Sequence, residues 1–204
     1  HRNGGIAIFA REAKFPDAPP QHACLSALGG RVTSMELTQR EGKSLKVASM
    51  YVPAKPKERL HFLMRLAGKD ILKNVDICGM DANCVPDKRI DTRKAPTATP
   101  YSNLHAARLE DMLAELGLRD VYRLMHGRTP AGFTRECKTI ATRIDRIYTK
   151  MGGHIEWVTI RANATFNQIA CPSDHRAVEA TMQMGRPPIR KKGEKKIFKH
   201  VLTE

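Results

Sequence analysis

The chain has 204 residues, of which 41% are hydrophobic and 27% are charged, and its formal net charge is +14. This length suits one domain with a sizeable core, and no apolar run approaches the roughly 20 residues of a membrane-spanning helix. The charge favours a polyanionic partner, most simply nucleic acid, because each neutralised phosphate releases a counterion. From charge alone, a solvated basic surface or contact with a membrane surface remains an alternative.

Short β-rich runs separated by turn formers predict strands along most of the chain. The predicted strands cover residues 5–10, 31–38, 45–52, 75–78, 143–149, 157–161 and 177–184. Two segments, residues 13–30 and 87–101, contain prolines and show no sustained period, so they are predicted to be loops.

Two helices are predicted from apolar residues at helical spacing. The first runs from Pro56 to about Asn74, with an apolar stripe formed by Leu60, Leu63, Met64 and Ala67. The second begins at a cap on Ser102 or Asn103 and stops at Gly117, with a stripe formed by Leu109, Met112, Leu113 and Leu116. Because strands outnumber helices and the helices are dispersed, the pattern favours a layered α/β sandwich.

The character of the sequence changes after Gly185. We predict one domain over residues 1–184 and a basic tail or linker over residues 185–204, which is either a nuclear-import or nucleic-acid-binding segment or a plain solvated tail. The five cysteines are scattered, without a paired Cys-x-x-Cys spacing, which favours a reducing compartment and implies no zinc site. An intracellular, nuclear location is therefore expected.

The candidate chemistry lies in short polar segments next to predicted strands. Asp81 and Asn83 follow an apolar strand and a glycine, so both side chains can emerge toward one side at the strand's carboxyl end. Such a pair can hold water and phosphate together, although the same pattern alone is also a common turn. Tyr51, before Pro53, can donate a hydrogen bond to a phosphate oxygen or pack as an amphipathic core residue.

Asp145 lies between isoleucines in a predicted strand, where an ionised carboxylate needs a partner. His175 is one candidate partner, and a carboxylate that accepts one imidazole N–H raises the basicity of the other nitrogen. A bridge from Asp145 to Arg143 or Arg146, and a purely structural His175, are the alternatives.

Taken in order, four segments resemble the endonuclease/exonuclease/phosphatase superfamily, which has the DNase-I-like fold. They are Tyr51-Val52-Pro53, Gly79-Met80-Asp81-Ala82-Asn83, Arg143-Ile144-Asp145-Arg146-Ile147 and Ser173-Asp174-His175. The resemblance implies a four-layer α/β/β/α sandwich of two packed, mainly antiparallel sheets. It implies that Asp81 and Asn83 act on the scissile phosphate and attacking water, and that Tyr51 belongs to the phosphate or metal environment.

The resemblance further implies that Asp145 orients His175, and that Asp174 and Asp81 are metal carboxylates for Mg²⁺ or Mn²⁺. The family's metal-site Asn and Glu stand on strands ahead of the segment that begins here at Gly4. This chain starts at His1 without them, so the fold is expected to lack its first strands and to be part of a longer protein with further domains.

Basic residues in the loops that flank the motifs are predicted to contact the phosphate backbone of DNA, against the alternative that they are simply solvated. They are Arg89, Arg93, Lys94 and Arg135. The interval from Tyr51 to Asp81, and Phe133-Thr134 ahead of Asp145, look closest to the endonuclease domains of non-LTR retrotransposons.

The sequence thus predicts a metal-dependent DNA endonuclease of the retrotransposon type, without membrane association. The rival prediction is a catalytically inactive remnant that binds nucleic acid or protein. A third possibility keeps the fold but takes a phospholipid or inositol phosphate, which the net charge of +14 disfavours.

Overall fold

The computed structural model describes residues 6, 8, 21–24, 28–38, 44–94, 105–130, 132–137, 140–150, 154–161 and 174–183. Apart from Ile6 and Ile8, the strand predicted at residues 5–10 lies outside these ranges. The predicted caps Ser102 and Asn103, Ser173 and the basic tail lie outside them too.

Strands dominate the fold. In chain order they are β1 (Gln21–Cys24), β2 (Val32–Thr38), β3 (Ser44–Tyr51), β4 (Ile77–Asp81), β5 (Thr92–Lys94), β6 (Leu118–Asp120), β7 (Arg135–Cys137), β8 (Ile140–Thr142), β9 (Asp145–Lys150), β10 (His154–Arg161) and β11 (Ala177–Gln183). The helices are α1 (Pro56–Ala67), α2 (Lys88–Asp91), α3 (Ala106–Glu115) and α4 (Val121–His126). No helix in the described ranges is long and apolar enough to cross a membrane.

Six strands form the main sheet, in the order β1-β2-β3-β4-β9-β6. Within it β3 and β4 run parallel and the other described pairs run antiparallel. Tyr51 is aligned with Asp81 across β3 and β4, and Asp81 with Asp145 across β4 and β9. Since aligned residues on neighbouring strands project to the same face, these three side chains share one face and one edge of the sheet.

The opposite face of the sheet carries the main hydrophobic core. Strand residues such as Met50, Cys78 and Met80 pack there with α1 and α3. In α3, Leu109 and Leu113 are fully buried, and Met112 and Leu116 pack against the core, which confirms the predicted stripe. Gly117 adopts a positive φ of 77° directly after the helix, where a glycine ends a helix at little steric cost.

The stripe predicted for the first helix was displaced by about one residue. The residues of α1 that are buried are Arg59, Phe62, Leu63 and Leu66, whereas Met64 is 56% exposed. The reason is Arg59, a charged residue at a core position whose guanidinium bonds to backbone carbonyls at the end of β3 and beyond β4. The helix also ends at Ala67, before the predicted Asn74, and a 3-10 turn follows at Asp70–Leu72.

A second layer of strands faces the main sheet. It contains the antiparallel pair β10-β11 and the three-stranded sheet β5-β8-β7, and an isolated bridge joins Arg135 of β7 to His175 just before β11. β11 contacts β9, and β10 contacts α4. The prediction of a mixed α/β fold with two packed, mainly antiparallel sheets is confirmed.

Both predicted loops contain regular structure. Residues 13–30 include β1, which pairs with β2, and residues 87–101 include α2 and β5. Strand β5 forms because it pairs with β8, far along the chain, and a local pattern does not reveal such a partner. The side chain of Asp87 caps α2 by accepting the backbone N–H of Arg89 at 3.0 Å.

Buried ion pairs tie α2 and α4 to the strand that carries Asp145. The guanidinium of Arg143 is 1% exposed and donates to Asp91 and Asp120, at 2.7 Å in each case. Arg123 of α4 is a second donor to Asp91. Asp91 is the carboxylate that the two arginines share, and together with Asp120 it compensates the burial of Arg143.

Replacing Asp91 with alanine leaves Arg143 and Arg123 without this shared partner, so the free energy of unfolding should fall by about 3–5 kcal/mol. Asp111→Ala, at an exposed aspartate of α3, is the matched control and should change it by less than about 0.5 kcal/mol. Urea denaturation of the two variants and the parent chain measures both values. Equal losses in the two variants would contradict the assigned role of Asp91.

Candidate active site

The turn after β4 holds Asp81 and Asn83 in a fixed relation. The backbone N–H of Asn83 donates to Asp81 Oδ1 at 2.9 Å, and its side-chain amide donates to Asp81 Oδ2 at 3.1 Å. The same amide nitrogen donates to the carbonyl of Val52 at 2.9 Å. Asn83 has a positive φ of 47°, which asparagine tolerates better than most residues. Asn83 therefore fixes the orientation of the Asp81 carboxylate by donating to both of its oxygens.

Arg59 supports this turn from the helical side and was missed by sequence reasoning. Its guanidinium donates to the carbonyls of Asn83 and Ala54, at 2.7 Å each, and to that of Pro53 at 3.1 Å. It thereby joins the segment after Tyr51 to the segment after Asp81. The available signal was an arginine three and four residues before the apolar pair Phe62 and Leu63, which places it on the buried face of the helix.

Thr134 anchors the start of β9. Its buried hydroxyl oxygen accepts the backbone N–H groups of Ile144 and Asp145, at 3.0 and 2.9 Å. The carbonyl of Ile144 accepts the N–H of Ala82 at 2.8 Å, so the strand end bearing Asp145 is tied to the turn bearing Asp81. The two carboxylates are consequently held by one continuous set of backbone bonds.

Asp145 pairs with His175, as the sequence suggested among its alternatives. Nδ1 of His175 lies 2.9 and 3.1 Å from the two carboxylate oxygens of Asp145. Because an ionised carboxylate can only accept, Nδ1 carries the proton and donates it. The other two candidate partners are engaged elsewhere: Arg143 pairs with Asp91 and Asp120, and Arg146 with Glu110. This contact fixes the imidazole so that Nε2 is the atom available for proton exchange.

The surroundings shift the protonation of these groups. Burial, followed by the nearby charge of Asp145, raises the pKa of Asp81 to about 6, despite the opposing effects of the Asn83 N–H, His175 and Arg135. The hydrogen bond to Asp145 raises the pKa of His175, which its partial burial opposes. A carboxylate and an imidazole with displaced pKa values at one strand edge are typical of catalytic sites.

Asp81, Asp145 and His175 form a group in which one ligand atom from each lies within 4.8 Å of the others. The chemistry of this set fits a divalent cation, because Mg²⁺ and Mn²⁺ accept carboxylate oxygens and retain several waters. The raised pKa of Asp81 supports the fit, since the charge of Asp145 is one of its causes and a positive charge between the two carboxylates would counter that repulsion.

Tyr51 and Asp174 flank this group. Tyr51 is half-buried and lies beside Asp81 at the edge of the sheet. Asp174, the predicted metal carboxylate, instead accepts Arg135 Nε at 2.7 Å, and one of its oxygens is 3.9 Å from His175 Nε2. Its side chain is 48% exposed, so it lies at the rim of the group and outside the closest set of three.

The arginines predicted to contact phosphate have acidic partners. Arg89 pairs with Asp87 at 3.2 Å, Arg93 with Glu136 at 2.7 Å, and Arg135 with Asp174. For Lys94 the structure describes the backbone, within β5. Arg135 reaches the rim of the site through its pair with Asp174. The role of all four positions toward a nucleic acid stays a prediction.

Solved structures of two nucleases have a fold similar to that of this chain. An AP endonuclease from Leishmania major matches with a TM-score of 0.60 and 12% identity, covering 76% of this chain and 55% of that chain. A 3'-5' exonuclease from Neisseria meningitidis matches with a TM-score of 0.56 and 17% identity, covering 83% of this chain and 68% of that chain. No protein-family model and no curated protein sequence matches the chain. At these identities the likeness shows a shared fold.

The raised pKa of Asp81 predicts how the free energy of unfolding depends on pH. With a value near 6 in the folded state against 3.8 ordinarily, the folded protein keeps a proton that the unfolded chain has lost. In EDTA the free energy of unfolding should therefore decrease as pH rises from about 4 to 6, by about 1–3 kcal/mol from this group. Asp81→Asn cannot titrate and should lack this decrease.

Urea midpoints at several pH values measure the effect, with Asp111→Asn as the exposed control that keeps the parent slope. His175 contributes in another window: a raised imidazole pKa stabilises below about pH 6.5 and is lost above it, in all three proteins. If the free energy of unfolding changed equally with pH in Asp81→Asn and in the parent between pH 4 and 6, the raised pKa assigned to Asp81 would be contradicted.

Proposed function

We propose that this chain is a divalent-metal-dependent endonuclease domain that hydrolyses phosphodiester bonds in DNA. The observation that carries the proposal is the convergence of Asp81, Asp145 and His175 within 4.8 Å, although they lie far apart in sequence. The nuclease fold and the net charge of +14 support a nucleic-acid substrate.

Asp81 and His175 have different roles in the proposed hydrolysis. Asp81 is oriented by Asn83, and its pKa near 6 suits it to accept a proton from the attacking water at neutral pH. The water oxygen forms a bond to phosphorus, the bond from phosphorus to the leaving oxygen breaks, and the proton that Asp81 has taken from the water returns through the solvent to that leaving oxygen. His175 is oriented by Asp145, whose hydrogen bond raises the imidazole pKa and so favours the protonated form, which can stabilise the negative charge that develops on the phosphate.

A bound Mg²⁺ or Mn²⁺ would be held by Asp81 and Asp145 and would supply charge neutralisation at the phosphate oxygens. Tyr51 can donate its hydroxyl to the same phosphate from the neighbouring strand end. Asp174 and Arg135, paired at the rim, are placed to meet the substrate strand or a cation from the solvent side.

Nicking of supercoiled plasmid tests the proposal. The parent chain should convert supercoiled to open-circular DNA with Mg²⁺ or Mn²⁺ and should fail in EDTA. His175→Ala and Asp81→Ala should each lower the nicking rate by at least about 100-fold, because each removes a proton-transfer or charge-stabilising group.

His126→Ala, at an exposed histidine ending α4, and Asp111→Ala are the matched controls and should nick at the parent rate. DNA binding without metal-dependent nicking would instead support the rival, a catalytically silent nucleic-acid-binding module. Nicking that persists in both site variants would overturn the assigned roles.

We further propose that the domain acts on intact duplex DNA, as the endonuclease domains of non-LTR retrotransposons do. The interval between Tyr51 and Asp81, and Phe133-Thr134 ahead of Asp145, support this finer assignment. The fold likeness to an AP endonuclease favours a second candidate, incision at abasic sites.

Duplex oligonucleotides with and without one abasic site distinguish the two candidates. Retrotransposon-type activity predicts incision rates on the two duplexes that differ by less than about tenfold, since no missing base is required. Incision confined to the abasic duplex would assign the chain to the second candidate. A stable abasic analogue and heat-treated enzyme control for spontaneous strand cleavage.

A further inference from the structure

The arginine nearest to Tyr51 differs from the other arginines around the site. Arg31, directly before β2, has its guanidinium carbon 5.2 Å from the centre of the Tyr51 ring. Within the described part of the chain, no carboxylate lies at ion-pair distance from it. Arg89, Arg93 and Arg135, by contrast, each pair with a carboxylate.

Arg31 belongs to the same sheet edge as the site. The carbonyl of Arg31 accepts the N–H of Tyr51 at 2.8 Å, which extends the pairing of β2 with β3 to the last residue of β3. Arg31, Tyr51, Asp81 and Asp145 therefore occupy four consecutive strand positions along one edge. At roughly 4.8 Å per strand, Arg31 lies about 10 Å from Asp81 along that edge.

That separation matches the spacing of a nucleic-acid strand. Phosphates of one strand advance roughly 3.4 Å along the helix axis per nucleotide and also rotate around that axis, so their direct separation exceeds this rise and about 10 Å covers one to two nucleotides. A strand whose scissile phosphate lies at Asp81 and which runs across Tyr51 would bring a neighbouring phosphate to Arg31. The Tyr51 ring holds the guanidinium plane through a cation–π contact and leaves its N–H donors for the phosphate oxygens.

A cavity of about 180 Å³ is lined in part by Arg31. Its floor is apolar, formed by Leu28, Pro53 and Phe62, and its rim carries His61 and Arg65 of α1. Glu58 also lines it, and Lys55 pairs with that glutamate at 3.2 Å. An apolar floor beneath a basic rim suits a deoxyribose with its phosphate.

We propose that Arg31, in cation–π contact with Tyr51 and beside this cavity, forms a subsite for a backbone phosphate of the DNA strand, one or two nucleotides from the scissile phosphate. The subsite rests on the proposed endonuclease function and extends it, because it fixes the direction in which the strand crosses the site: along the sheet edge, over β3 toward β2. Its contribution is to binding and positioning, and Arg31 does not touch the reacting atoms.

Fluorescence anisotropy with a labelled duplex in EDTA, at several salt concentrations, tests the subsite without cleavage. Loss of one phosphate contact in Arg31→Gln should reduce the magnitude of the negative slope of log K, the binding constant, against log salt by about 1. It should also weaken binding about fivefold near 0.15 M salt. Arg31→Lys keeps the charge and should keep the parent slope. Arg119→Gln, at an exposed arginine of β6 away from this edge, is the control.

An unchanged slope in Arg31→Gln, or an equal loss in the glutamine and lysine variants, would overturn the subsite. Thermal melting of all variants sets a temperature at which each is folded, so that the slopes compare native proteins. Failure of the parent chain to bind DNA at all would instead remove the proposed function itself. The two failures are thus distinguishable in one experiment.

Discussion

The hydrogen bond between Asp145 and His175 joins the two strand layers at the site. Asp145 begins β9 of the main sheet, whereas His175 bridges to Arg135 of the small sheet. The carboxylate is itself held from behind, because the N–H of its own residue donates to Thr134 and the preceding carbonyl accepts from Ala82. Any displacement of the second layer would therefore separate the imidazole from Asp81 as well as from Asp145.

Buried charge reinforces this arrangement. Arg143, next but one to Asp145, is enclosed with Asp91 and Asp120, and Arg59 is enclosed with the carbonyls of the turn after β4. A buried guanidinium that loses its acceptors is expensive, so each of these groups tolerates little movement of its neighbours. Hydrophobic packing alone is less directional, and the two arginines supply the orientation that the turns of the site require.

Whether the sequence could predict a feature depends on how far apart in the chain its interacting residues lie. Asp81 and Asn83 were predictable because a buried strand, a glycine and two polar residues form a local pattern. The edge they share with Tyr51 and Asp145 follows from strand pairing in the expected fold. The contact of Asp145 with His175 was one of several possibilities, and the structure resolves it because Arg143 and Arg146 have other partners.

What the sequence missed depends on distant partners. Strands β7 and β8, in a segment without apolar period, are defined by pairing with each other and with β5, which lies in a predicted loop. Arg59 was not included in the predicted apolar stripe of its helix, because hydropathy counts a charge as surface. Its acceptors are backbone carbonyls, and every residue type has one, so the sequence does not indicate them. For the same reason the predicted stripe of α1 was displaced.

Attraction of a polyanion and its orientation at the site depend on different charges of the chain. The chain carries a net charge of +14, yet Arg89, Arg93 and Arg135, which flank the site motifs in the sequence, are each paired with a carboxylate. The overall charge raises the local concentration of a polyanion over a distance of about one Debye length, roughly 8–10 Å, and is screened beyond it. Close to the phosphate, alignment depends instead on groups held in one geometry. Asp81 held by Asn83, His175 held by Asp145 and Arg31 held by Tyr51 each meet that condition, and each is fixed by a neighbour on the same edge of the fold.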